Sequence, residues 1–271
     1  MTRNCGDGGP HGVKLSEDAR ASSAERVSSG STANDGPTAP TRLVHHEDGI
    51  AWLERATLTS EHAVVTSLPD SSELPRLGFD AWRSWFVDAA ALVCRAVADD
   101  SVAIFFQTDV KRDGAWVDKG FLVHTGAERA GARLLWHKVV CRAVPGTTTF
   151  GRPAYAHLSC FSRRLRLTPA QASPDVLPRL GEMTWSRAMG LEACDAVCRF
   201  LLAHTSCRTV VDPFCGVGTM LATANAHGMG AIGVELSRKR AARARRLELS
   251  ADATGTSPAM NGVREGDRVT R

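Results

Sequence analysis

The 271-residue chain is long enough for one α/β domain with a sizeable core, or for two small ones. Hydrophobic residues make up 43% of it, yet no uncharged apolar run reaches the length that crosses a bilayer, so no membrane span is predicted. The net charge of +4 is mild, but six basic residues crowd one short stretch: Arg238, Lys239, Arg240, Arg243, Arg245 and Arg246. This stretch is either a solvated helix face or a surface that meets phosphate groups, and the sequence leaves both open.

The eight cysteines are scattered, and none forms a C-x-x-C pair. Cys194 and Cys198 fall one helical turn apart, but no further cysteine or histidine follows at the spacing of a metal site. We therefore predict no metal site. The thiols are expected to pack in the core of an intracellular protein in a reducing compartment.

Both ends of the chain contain few large apolar side chains. Residues 1–41 are rich in Ser, Gly, Ala and Pro, and residues 250–271 are similar. Such segments bury too little surface to offset the entropy of ordering, so both are predicted to be disordered. The predicted domain spans residues 42–249.

Within this domain, strand-like and helix-like segments alternate along the chain. Strands are predicted at residues 62–66, 101–106, 134–136, 156–161, 209–212 and 231–235, and helices at 79–98, 121–130, 187–204, 217–227 and 238–249. This alternation predicts an α/β fold in which a doubly wound, mostly parallel sheet is covered by helices on both faces.

The segment Asp212-Pro-Phe-Cys-Gly-Val-Gly-Thr219 joins a predicted strand to a predicted helix. Gly216 and Gly218 lack a Cβ atom, so the backbone can turn sharply and approach a ligand closely. Asp212 ends the strand, where it can accept from an ammonium group. Glu235 ends the next strand, where an acid can accept from both hydroxyls of a ribose. The loop lacks the third glycine of a dinucleotide site and the Gly-Lys-Ser/Thr of a phosphate loop.

This loop resembles the Asp-Pro-Phe-x-Gly-x-Gly-Thr motif of S-adenosylmethionine-dependent methyltransferases that act on exocyclic amino groups of nucleobases. The resemblance implies a Rossmann-like methyltransferase fold with S-adenosyl-L-methionine as cofactor. In that family the acid before the glycines and the acid of the second strand contact the cofactor. The predicted cofactor-binding residues are therefore Asp212, Pro213, Phe214, Cys215, Gly216, Gly218, Thr219 and Glu235.

A second segment, Ser67-Leu-Pro-Asp70, follows the predicted strand 62–66 and resembles the Ser-Pro-Pro-Tyr catalytic turn of the same family. Its position before the cofactor loop matches the permuted DNA methyltransferases, and the resemblance implies that Ser67, Pro69 and Asp70 are catalytic. Leu68 replaces the first proline of the motif. Asp70 replaces the aromatic residue, which removes a stacking surface for the base and adds a carboxylate.

The added carboxylate leaves the role of Asp70 open. It can accept from an amine, act as a base, or merely cap the next turn. Four aromatic residues could replace the lost stacking surface, although each suits the core equally well: Trp82, Trp85, Phe106 and Trp136.

Several weaker candidates accompany these two motifs. Residues 107–109 follow a predicted strand at the same sheet edge, and residues 184–187 precede the cofactor strand. His137 and His157 are more typical of structural histidines. Residues 262–267 are a weak candidate for a third strand, next to the adenine of the cofactor.

The segment between the Ser67–Asp70 turn and the Asp212–Thr219 loop limits which substrates are possible. The permuted DNA enzymes carry a target-recognition region there, whereas this chain offers only residues 163–181, too few for an independent fold. We therefore expect methylation of an exocyclic amino group of a nucleobase in RNA or DNA, with RNA favoured over DNA and with an accessory protein as a candidate partner for target recognition. A small-molecule or protein methyltransferase and an inactive cofactor-binding module remain alternatives, because fold does not determine function.

Overall fold

The computed structural model describes residues 40–249. The ends predicted to be disordered, residues 1–41 and 250–271, lie outside this range except for Pro40 and Thr41. The strands are β1 (Arg42–His45), β2 (His62–Thr66), β3 (Ala103–Gln107), β4 (Val110–Arg112), β5 (Ala115–Val117), β6 (Arg133–Cys141), β7 (Tyr155–Ser162), β8 (Val176–Leu177), β9 (Thr209–Asp212) and β10 (Gly230–Val234). The helices are α1 (Gly49–Arg55), α2 (Phe79–Ala96), α3 (Lys119–Arg129), α4 (Leu191–His204), α5 (Thr219–Ala226) and α6 (Arg238–Ala244).

Eight of these strands form one sheet in the order β1-β10-β9-β2-β3-β7-β6-β8. The first five run parallel, whereas β7 is antiparallel to both of its neighbours. Helices α4, α5 and α6 pack on one face of the sheet, and α1, α2 and α3 pack on the other. The predicted doubly wound, mostly parallel fold is confirmed. No helix among residues 40–249 has the length and apolarity needed to cross a bilayer.

The edge of the sheet beside β10 differs from the sequence prediction. The sequence offered residues 262–267 as a candidate third strand, and these residues lie outside the described range. In the structure β1 pairs with β10 in parallel at this edge. The side chain of Arg42 ties the edge to the rest of the fold, because it donates to the carbonyl oxygen of Leu247 at 2.5 Å and to Oδ1 of Asn225 at 2.6 Å.

Several predicted boundaries also move. The strand predicted at 134–136 extends to Arg133–Cys141 and contains a register shift at its start. The helix predicted from Arg187 begins at Leu191, because Gly190 is extended and packs so tightly that a Cβ atom on it would lie 2.0 Å from the carbonyl oxygen of Leu180. The β4–β5 hairpin was not predicted at all.

Candidate active site

Two neighbouring parallel strands bring the predicted catalytic turn and the predicted cofactor loop to one place. In the ladder of β2 and β9, Val64 lies opposite Val211, so both strands leave the sheet at the same edge. The hydroxyl of Thr66 donates to Oδ1 of Asp212 at 2.7 Å, and both groups are buried. Pro69 and the cofactor loop line the same cleft, although 146 residues separate the two hydrogen-bonded side chains.

The loop of residues 212–219 requires glycine at two positions, Gly216 and Gly218. Both adopt left-handed backbone angles, with φ of 57° at Gly216 and 88° at Gly218. A Cβ atom on Gly218 would also lie 2.9 Å from Cα of Ala244 in α6. The backbone N–H of Cys215 anchors the loop to β10, because it donates to the carbonyl oxygen of Val234 at 3.0 Å. The loop is thus held against both α6 and β10.

Asp212 is a buried carboxylate without a cationic partner among residues 40–249. Burial, with a smaller contribution from the charge of Glu235, raises its pKa to about 7, although hydrogen bonds from Thr66 and from the backbone N–H of Phe214 oppose the rise. An unpaired buried acid that lines a cleft suits a ligand carrying a positive charge.

Glu235 is also buried at the cleft, but one of its oxygens is already engaged. Oε1 accepts from the backbone N–H of Ser237 at 2.7 Å and from the guanidinium of Arg240 at 3.0 and 2.9 Å. No hydrogen bond from another described residue reaches Oε2 in this arrangement. Glu235 is therefore fixed in place with one acceptor oxygen left over, as a residue that binds hydroxyls requires.

Replacing Glu235 with Ala should weaken binding of S-adenosylmethionine by about 1.5–3 kcal/mol, because it removes a charged acceptor from the cleft. Isothermal calorimetry on the purified protein measures this. Glu128→Ala, on the outer face of α3, is a matched control and should bind the cofactor like the wild type. Equal affinity in wild type and Glu235→Ala would contradict the assignment.

A hydrogen bond from α2 holds the turn after β2 in place. The indole N–H of the buried Trp82 donates to the carbonyl oxygen of Pro69 at 3.1 Å. Among the described residues, no hydrogen bond engages the hydroxyl of Ser67, which lines the cleft. The Pro69 carbonyl is therefore occupied, whereas the Ser67 hydroxyl is available to a ligand.

Asp70 forms an ion pair that the sequence did not reveal. Its Oδ1 accepts from the ammonium of Lys119, the first residue of α3. The side chain of Lys119 is only 4% exposed and that of Asp70 19%. Burial lowers the pKa of Lys119, and the Asp70 carboxylate opposes that change. The backbone N–H of Asp70 donates to Oε2 of Glu73 at 3.2 Å, and its carbonyl oxygen accepts from the backbone N–H of Glu73 at 2.8 Å. Asp70 therefore opens a turn through its backbone, while Oδ1 of its side chain pairs with Lys119.

A chain of polar contacts sets the position of Lys119. Its backbone N–H donates to Oδ1 of Asp109 at 2.8 Å, and Oδ2 of Asp109 lies 3.1 Å from Nε2 of His157. His157 in turn contacts His137 through a 3.0 Å nitrogen–nitrogen contact. Both histidines and Asp109 therefore support the start of α3. The sequence carried no local signal for this pair, because the predicted helix began at residue 121, two residues after Lys119.

The aromatic candidates separate into two groups. Trp85 and Phe106 line the cleft. Trp82 is fully buried behind the turn, and Trp136 packs edge-on against Phe200 beneath the opposite face. In the weaker candidate segment 184–187, the side chain of Trp185 lies beside Gly216. A Cβ atom on Gly216 would lie only 3.0 Å from the Trp185 ring.

The sequence matches no protein-family model, and no curated protein matches it. Solved structures do match. A candidate DNA modification methylase of Thermus thermophilus superposes with a TM-score of 0.59 at 18% identity, over 75% of this chain and 93% of that one. The cytosine-N4-specific PvuII DNA methyltransferase gives a TM-score of 0.59 at 16% identity, over 78% and 88%. M1.HpyAVI gives 0.51 at 15% identity, over 77% and 100%.

The chain has the fold of these methyltransferases. The match covers nearly the whole of each of their chains, so the domain is present without a large deletion. At these identities the likeness establishes the fold alone, and the chemistry has to be argued from the cleft.

Proposed function

We propose that the chain transfers a methyl group from S-adenosyl-L-methionine to an exocyclic amino group of a nucleobase in a nucleic acid. The observation that carries this proposal is the pairing of β2 with β9, which joins the Ser67–Asp70 turn to the Asp212–Thr219 loop across the Thr66–Asp212 hydrogen bond. The Thermus protein and M1.HpyAVI, which share the fold, have also been solved with S-adenosylmethionine.

The cleft fits this cofactor in charge and in shape. The unpaired, buried Asp212 would accept from its ammonium group, and the remaining oxygen of Glu235 would accept from its ribose. Gly216 and Gly218 keep the backbone free of side chains where the loop turns. When bound, the cofactor supplies a methyl group activated on a sulfonium sulfur.

The residues of the turn act on the amine. An exocyclic amine that is conjugated to a base ring is a poor nucleophile. Acceptors aimed at its hydrogens draw the nitrogen toward a tetrahedral, more nucleophilic state and stabilise the positive charge that develops there. The Ser67 hydroxyl is free to accept, and the Asp70 carboxylate stands beside it, held by Lys119. As the nitrogen gains a methyl group it must lose one proton, and the Asp70 carboxylate would accept it.

We propose RNA ahead of DNA as the substrate, with an accessory protein for target recognition. Residues 163–181 contain one turn of 3-10 helix (Pro169–Gln171) and the two-residue strand β8, so this segment adds no separate recognition domain. A base in a single-stranded or looped RNA is already accessible, whereas a base in a duplex must be flipped out.

A second candidate is a methyltransferase for a small polar molecule on the same fold. The Asp70–Lys119 pair favours it, because this pair places two charges where the family has an aromatic ring. A charged pair can hold a small substrate with an amine or a carboxyl group as well as the edge of a base.

Methyl transfer from radiolabelled S-adenosylmethionine should separate the two candidates. We expect the purified protein to label single-stranded RNA or DNA, and nucleoside mass spectrometry to show N4-methylcytosine or N6-methyladenine. Asp212→Ala provides the inactive control. Label that appears only in a small-molecule extract would favour the second candidate and contradict the first.

A further inference from the structure

An exposed cluster of aromatic and basic side chains lies outside the motifs described above. Two segments form it, the β4–β5 hairpin and the loop of residues 142–154 between β6 and β7. Trp116 is 48% exposed and Phe150 is 89% exposed. The ammonium of Lys111 lies 5.4 Å from the Trp116 ring centroid and 4.4 Å from that of Phe150, so it joins the two rings. We call Lys111, Trp116 and Phe150 the aromatic patch.

The aromatic patch is continuous with the mouth of the candidate active site. The hairpin follows the carboxyl end of β3, and the loop follows the carboxyl end of β6, so both start at the sheet edge where the cleft opens. Val110, Arg142 and Arg152 belong to these segments and line the cleft itself. A ligand chain that lies across the patch could therefore insert one of its units into the cleft.

The patch carries a net positive charge together with Arg142 and Arg152. Arg112 adds a further guanidinium, which stacks on Phe79 and lies 3.5 Å from the exposed Asp113. Single exposed apolar side chains are common, whereas exposed rings that lie together mark an interaction surface. Two rings with interspersed cations match a partner that presents flat bases and negative phosphates in alternation.

We propose that the aromatic patch binds a single-stranded nucleic acid, with bases stacked on Trp116 and Phe150 and phosphates beside Lys111, Arg142 and Arg152. This inference rests on the proposed function and names its substrate class, a single strand rather than a duplex. In a duplex the bases are stacked on one another, and their faces cannot reach the rings. The patch thereby supplies the strand contacts that residues 163–181 are too short to provide.

Fluorescence anisotropy with labelled oligonucleotides of about 12 nucleotides tests the proposal. The protein is saturated with S-adenosylhomocysteine, and single-stranded RNA, single-stranded DNA and a DNA duplex are compared. The double variant Trp116→Ala/Phe150→Ala should bind the single strands about 10- to 100-fold more weakly, because each stacked base contributes strongly to affinity. Its affinity for the duplex should change less than about 2-fold.

Two matched variants separate stacking and local charge from general effects. Phe121→Ala removes another exposed ring, on α3 away from the cleft, and should leave binding of the strands unchanged. Lys111→Ala should weaken binding and lower the salt dependence, by about 0.7 in the slope of log K against log salt. Lys239→Ala, which removes one exposed lysine from α6, should have the smaller effect of the two. Unchanged cofactor affinity in each variant shows that the fold is intact.

The possible results have distinct meanings. Equal losses for single strand and duplex, equal effects of Lys111→Ala and Lys239→Ala, or a change in oligomeric state instead of in strand affinity would each overturn the proposal. Loss of strand binding in the double variant supports it even if no methyl transfer occurs, and in that case the proposed function fails while the binding surface stands. If the double variant methylates oligonucleotides as well as the wild type does, the binding role of the aromatic patch is wrong, whereas the proposed methyltransferase function stands.

Discussion

Asp70→Ala should lower the free energy of unfolding by about 3–5 kcal/mol, because it leaves the ammonium of Lys119 buried without its partner. The lysine side chain is only 4% exposed, so its ammonium is poorly hydrated and depends on the carboxylate for its charge compensation. Urea unfolding followed by circular dichroism measures the change. The loss is large for a turn residue, since most substitutions near the surface cost far less.

The double variant Asp70→Ala/Lys119→Met tests whether the stranded charge is the cause. It removes both charges and fills the site with an apolar chain of similar length, so most of the lost stability should return. Asp88→Ala is the matched control, because it breaks the pair of Asp88 with Arg129, whose side chains are 70% and 58% exposed. That variant should lose less than about 1 kcal/mol. If Asp70→Ala costs no more than Asp88→Ala, the buried pair does not form.

The double variant Asp70→Ala/Lys119→Met should regain stability but not methyltransferase activity. If Asp70 contacts the substrate amine, turnover falls about 100-fold or more both in Asp70→Ala and in the double variant, whereas cofactor affinity stays nearly constant. Single-turnover methylation at saturating cofactor distinguishes these effects. A double variant that is stable and fully active would show that Asp70 serves only to hold Lys119.

The strands that carry the site were predictable, because each is a short apolar run ended by a turn residue. Both His62–Thr66 and Thr209–Asp212 have the predicted bounds. Their pairing was only a hypothesis, since sequence order places β2 far from β9 and says nothing about which strands are neighbours. The fold resemblance made the pairing reasonable, and the ladder now shows it.

The partner of Asp70 was out of reach for the sequence. Lys119 lies 49 residues further along, at the start of a helix whose predicted beginning was two residues late. The strand β1 was missed for a related reason. It is a four-residue segment next to a Ser/Gly/Pro-rich region, and its burial comes from β10 rather than from a local pattern. Both features depend on tertiary contacts that the local residue pattern does not encode.

The second large effect concerns the buried acid of the cofactor loop. Asp212 has a pKa of about 7 in the folded protein, against 3.8 for an ordinary aspartate. Below about pH 7 it therefore carries a proton while the cofactor is absent, whereas the cofactor's ammonium favours the ionised carboxylate. Affinity for S-adenosylmethionine should thus fall by up to about tenfold for each pH unit below about 7. Asp212→Asn should bind weakly at all pH values and show no such dependence.

The same group should make stability change with pH in the opposite sense. Because folding raises its pKa, Asp212 stabilises the cofactor-free protein fully below pH 3.8, and this contribution is lost as pH rises through about 7. A rise from 3.8 to about 7 corresponds to about 4 kcal/mol. Relative to Asp212→Asn, the wild type should lose roughly this amount between about pH 4 and about pH 8.

Above about pH 7, then, Asp212→Asn should be the more stable protein and the poorer binder. Urea unfolding and calorimetry at matched pH values measure both properties, with Asp88→Asn as a control that should alter neither. A buried charge kept at the expense of stability is expected where a ligand supplies the compensating cation. Two results would contradict this. They are an Asn variant that is less stable than the wild type at about pH 8, and a wild type whose cofactor affinity is constant from about pH 5.5 to 8. Either would show that a cationic group of the protein already compensates the Asp212 carboxylate.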